Sequence, residues 1–146
     1  MTKAEKIEAA VRRAASADPD LDPHYAGYFA CFNSQRYFEA HDVLEQLWLE
    51  THDPFYKGLI QMAGAFVHLQ KQFERPDHPK DRNRTQPAMR LFKLAAGNLA
   101  PYRPLHQRLN VEQVCTLCAT IAEQIERTGH RNPWRPESAP ILILEK

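Results

Sequence analysis

Pro54-Phe55-Tyr56-Lys57-Gly58-Leu59-Ile60-Gln61-Met62-Ala63-Gly64-Ala65-Phe66-Val67-His68-Leu69 is apolar on almost every side when wound into a helix. A helix of that composition belongs at the centre of a bundle. Its polar exceptions are ordered. At about 100° per residue, Lys57, Gln61 and His68 fall along one stripe, with Gly64 between them. Pro54 suits a first helical turn, and the pattern predicts a helix over 54–73. Upstream, 35–51 repeats with helical spacing: Tyr37, Ala40, Val43, Leu44 and Leu47 form an ordinary core stripe. The adjacent face mixes Phe38, His41, Asp42, Glu45, Trp48, Leu49 and His52. Only His52-Asp53-Pro54 joins the two segments, and the residue before a proline disfavours helix. So short a connection makes the helices antiparallel neighbours. The predicted fold is all-α, a compact bundle of about six helices around this central hairpin, residues 35–73.

Working outward, helices are expected over about 3–16, 23–32 and 85–100. A further helix follows Asn110, whose cap is supported by Gln113 three residues on. It ends at Thr128-Gly129, with glycine in its usual place after a helix. Residues 74–84 are charged, hold two prolines and read as a loop. The segment 131–146 differs in character, being proline-rich and then aliphatic at Ile141-Leu142-Ile143-Leu144. It is expected to dock on the core or on a partner, within a single domain spanning 1–146.

Composition narrows the function classes. A formal net charge of +1 offers no global field for nucleic acid or membrane. No apolar run approaches the roughly 18 residues of a membrane span. The start, Met1-Thr2-Lys3-Ala4-Glu5-Lys6, lacks the apolar stretch of a secretory signal, so a cytoplasmic location is expected. Three cysteines are no disulfide framework. Cys115 and Cys118 have redox-pair spacing, yet they lie on the continuous apolar face Val111, Val114, Ile121, Ile125 and are expected buried and reduced. Residues 71–93 hold seven Lys/Arg against three acids without interleaved aromatics, which reads as a solvated loop.

The candidate site is the polar part of the hairpin. His41 and Glu45 are i,i+4 on one helix, and Gln61 and His68 share a stripe on the other. Polar groups on a buried helix need partners, and each pair is the nearest available to the other. One reading is a pocket for a small molecule or a divalent metal, in its hydrolytic form with His41 or Glu45 as catalytic base. Carboxylate–imidazole sets between bundle helices can hold zinc or iron, although no His-x-x-x-His or Glu-x-x-His spacing occurs. The other reading is a non-catalytic interaction or structural module. In it the four side chains fix helix register, while Trp48, Phe38 and the terminal aliphatics meet a partner protein. Trp48, with a large apolar body and one ring N–H, is expected to be mostly buried.

Two blocks resemble a known family. Phe32-Asn33-Ser34-Gln35-Arg36-Tyr37-Phe38-Glu39-Ala40-His41-Asp42-Val43-Leu44-Glu45-Gln46-Leu47-Trp48 and Gly58-Leu59-Ile60-Gln61-Met62-Ala63-Gly64-Ala65-Phe66-Val67-His68-Leu69 are similar to domain-of-unknown-function family 309. The resemblance implies an all-α fold and signature positions at Glu39, His41, Glu45, Trp48, Gln61 and His68. It makes Glu39, Trp48, Gln61 and His68 binding residues beside His41 and Glu45, and it implies no reaction. Three positions depart from the pattern: Asp42 where Glu is usual, Gln35 where Gly is usual, and Lys57 where Gln is common.

Overall fold

The computed structural model describes residues 2–146. Six helices carry the fold: α1 Lys3–Ala17, α2 Pro23–Asn33, α3 Tyr37–Thr51, α4 Pro54–Glu74, α5 Thr85–Leu99 and α6 Val111–Arg127. Four of the starts have a local cause. Thr2, Asp22, Asp53 and Asn110 accept hydrogen bonds from first-turn amides of α1, α2, α4 and α6. Asn110 receives its bond from the Gln113 amide at 3.0 Å, in the register expected from sequence.

Helix α4 is central. It packs against α3 on one side and α5 on the other, and α5 also packs on α6. Its large side chains Phe55, Leu59, Met62, Phe66 and Leu69 are fully buried. Phe66 joins an aromatic run with Phe32, Tyr37 and Phe92, at ring separations of 5.0–5.4 Å. Gly58 permits the close approach of α5: a Cβ there would lie 2.8 Å from Leu99 Cγ. No helix of the described residues is long and apolar enough to cross a membrane.

One feature differs from the sequence expectation. A minimal antiparallel hairpin, β1 Leu105–His106 with β2 Leu109–Asn110, precedes α6. Its turn residues Gln107 and Arg108 both have positive φ, 46° and 65°. Neither is the Gly or Asn that usually announces such a turn. The two tryptophans are buried to different degrees. Trp48 is only part-buried, whereas Trp134 is 5% exposed. The Trp134 indole N–H donates to the Tyr37 hydroxyl at 3.1 Å.

Residues 131–146 lie against the helices. Asn132 Nδ2 donates to the Leu69 carbonyl. The Asn33 side chain both accepts from the Leu142 amide and donates to its carbonyl, each at 2.8 Å. Leu142 and Leu144 turn inward, while Ile141 and Ile143 are exposed. Cys31, Cys115 and Cys118 are buried free thiols. Burial pushes Cys118 up to about 12, the reverse of an activated cysteine.

Candidate functional site

Two cation–π contacts fix how α3 lies beside α4. Lys57 Nζ sits 4.4 Å from the Trp48 ring centre, and Lys71 Nζ sits 5.8 Å from that of Phe38. The start of α4 therefore opposes the end of α3, as the short His52-Asp53-Pro54 connection requires. Between these contacts, helical spacing sets His41 and Glu45 on the α3 edge and Gln61, Gly64 and His68 along α4.

The side chains within this strip bond in three separate directions. His41 Nδ1 lies 3.3 Å from Asp42 Oδ1, and its Nε2 lies 3.9 Å from Glu45 Oε2. The buried Asp42 carboxylate also faces Lys3 Nζ at 3.5 Å. A carboxylate can only accept, so this contact favours the proton on His41 Nδ1 and leaves Nε2 toward Glu45. Gln61 Oε1 accepts from Asn98 Nδ2 of α5 at 2.7 Å. His68 Nδ1 accepts from Arg84 Nη1 at 3.0 Å. Arg84 is in turn clamped by the buried Asp81, whose Oδ1 accepts from Nε at 2.7 Å and faces Nη2 at 2.6 Å. Among the described residues no hydrogen bond joins the His41–Glu45 pair to Gln61 or His68.

The Arg84 contact decides the state of His68. A guanidinium only donates, so His68 Nδ1 presents its lone pair and the neutral ring carries its proton on Nε2. Burial lowers the His68 pKa, and the charges of Arg84 and Lys71 lower it further. Asp81 runs the other way. Burial alone raises its carboxyl, but the Arg84 hydrogen bond and charge, with Arg75 and His78, bring it below the usual range.

Glu39 turns away from the strip and accepts from Arg36 Nη1 at 2.9 Å. Sequence reasoning missed Asp42 as the partner of His41 and missed the Asp81–Arg84 clamp altogether. The clamp comes from the charged loop before α5, whose composition resembles that of any solvated loop. No three His, Cys, Asp or Glu side chains among the described residues converge as metal ligands.

Residues 25–76 match the family model described as Domain of unknown function (DUF309). The match covers about a third of the chain. The matched segment takes in most of α2 and all of α3 and α4, and so carries the whole hairpin with Asp42, while Arg84 and Asn98 stand outside it. No curated protein and no solved structure matches the chain. The DUF309 pattern gives meaning to one departure in this sequence. Gln35 has φ 61°, in the left-handed region that glycine enters without steric cost.

Proposed function

We propose that this protein is a binding module whose α3–α4–α5 face receives an amphipathic helix of a partner protein, one with acidic residues beside its apolar stripe. What supports this reading is the strip of α4 between α3 and α5, with exposed apolar residues on both sides and free cations, which we read as a channel. Phe38 on α3 is 57% exposed and Leu94 on α5 is 54% exposed. Between the two helices, Gly64 keeps the channel floor low: a Cβ there would meet only Leu91 Cδ1, at 3.4 Å. Two flanking helices over a third form the trough in which a helix docks by its i, i+3, i+4 face. Lys57 and Lys71 lie over aromatic rings at the two ends, and neither has an ion-pair partner among the described residues. Those two cations select for acid on the incoming helix. Gln61 and His68, each held by a residue beyond the hairpin, and Trp48 become contact residues of the floor and wall, with His41 and Glu45 at the α3 edge.

The test is photo-crosslinking from Phe38 and from Leu94 in cells, with the captured segment mapped. An acidic amphipathic segment trapped from both positions, and lost in a Lys57→Glu/Lys71→Glu variant, is the expected result. Capture that is indifferent to the charge reversal overturns the reading.

A second reading keeps His41 and Glu45 as a hydrolytic pair, and one observation favours it. The buried Asp42 beside His41 Nδ1 is the arrangement that orients an imidazole as general base. In that case Glu45 or His41 would activate water for a substrate lying in the same channel. His41→Gln abolishing a hydrolase activity, with the fold intact, is the outcome that distinguishes it from docking.

A further inference from the structure

Away from that channel, a cavity of about 170 Å³ opens between α4, α6 and the segment after α6. Its walls are Phe66, Leu69, Leu117, Ile121 and the Trp134 indole, with Pro133 and Pro140 closing the sides. An apolar void of about 150 Å³ opened in a protein core takes up one benzene molecule, so the volume here admits a single six-membered ring. The mouth is polar: Gln124, Ser138 and Arg135 line it.

Arg135 is the informative residue. Its Nη1 donates to the carbonyls of Asn132 at 3.1 Å and Trp134 at 2.7 Å, and its guanidinium carbon lies 5.5 Å from the Phe73 ring centre. The guanidinium is thus held in place by neutral groups. It makes no ion pair among the described residues. A fixed cation without a counter-charge, at the mouth of a ring-sized apolar hole, matches a ligand with an apolar ring at one end and an anionic group at the other. Arg131 lines the adjoining depression together with Arg135 and adds a second positive charge on the same side.

We propose that this cavity binds a small aromatic carboxylate, its ring against Trp134 and Ile121 and its carboxylate on Arg135. Every wall of the site comes from residues 66–140, and the docking channel does not contribute to it, so the two readings stand or fall separately.

The test is calorimetric titration of the full chain with phenylacetate, with phenylethanol as the neutral control. Saturable one-to-one binding of phenylacetate with Kd of about 1 mM or tighter is expected for a ligand this small. Arg135→Gln should weaken phenylacetate about tenfold and leave phenylethanol unchanged, and Arg135→Lys should restore part of the loss. Leu117→Trp, which fills the cavity from a part-exposed position, should weaken both ligands. Denaturation midpoints of the variants establish that each is folded. Absence of saturable binding to about 10 mM phenylacetate overturns the proposal. So does an equal effect of Arg135→Gln on acid and alcohol, or unchanged binding in folded Leu117→Trp.

Discussion

The two tryptophans sit in regions built on opposite principles. Trp48 belongs to the helical hairpin, where neighbours close in sequence dictate the structure, yet its ring is left part-exposed under Lys57. Trp134 belongs to a segment with little regular structure, yet it is buried, stacks edge-on to Phe73 at 5.4 Å and Tyr37 at 6.1 Å, and donates to Tyr37. Regular secondary structure and burial are therefore decoupled here. The hairpin leaves the polar stripe of α4 only part-buried, and the irregular segment completes the core.

The largest expected effect tests that contrast directly. Trp134→Ala should cost about 3–5 kcal/mol, as for a large buried aromatic. Trp48→Ala should cost less, about 2–3 kcal/mol, because part of its surface stays in water. Urea midpoints measure both, and equal losses would break the comparison. Next in size is the Asn33 clasp. Replacing Asn33 with Ala removes both bonds to the Leu142 backbone and should cost about 1–2 kcal/mol. Hydrogen exchange at the Leu142 amide should accelerate while that of α4 holds; uniform acceleration would mean the segment and the helices open as one unit.

A smaller effect comes from pH. The folded-state pKa of His68 is lowered, so the unfolded chain binds a proton first as pH falls. The stability associated with a neutral His68 is complete above about pH 6.5 and is lost as pH drops through the window below it. His68→Gln should flatten that part of the stability–pH curve. An unchanged curve would show that the Arg84 contact does not govern His68. The smallest effect is expected at Gln35. Gln35→Gly relieves the left-handed backbone but removes the bond from Gln35 Nε2 to the Pro136 carbonyl. The two should nearly cancel, leaving a net change within about 1 kcal/mol; thermal denaturation measures it.

How much of this was legible in the sequence depends on the range of the interaction. The hairpin was, to within a residue or two, because the Tyr37–Leu47 stripe, the Asp53 cap and Pro54 are local signals. So was the alignment of Gln61 with His68, which follows from helix period alone. What they bond to was not legible. Asn98 and Arg84 lie 37 and 16 residues from their partners, and their residue types look like ordinary surface. Trp48 packs against the core as its large apolar body led one to expect, but the degree of its burial was not legible. Helix spacing puts it beside the core stripe but cannot say whether another element covers that side. Trp134, flanked by Pro133 and Arg135, gave no periodic signal, and only the assembled helices create its slot.

The Asn33 clasp has a consequence for the time course of folding. Its two bonds join residues 109 apart in the chain, and the Trp134–Tyr37 bond joins residues 97 apart. Local helical contacts form within microseconds because little chain must be ordered first, whereas contacts of such long separation wait on a large loop-closure entropy. Trp134 is made about a hundred residues after Tyr37, which at roughly 5–20 residues per second is a delay of seconds. Until it emerges, the Tyr37 hydroxyl lacks the indole donor that the finished molecule supplies.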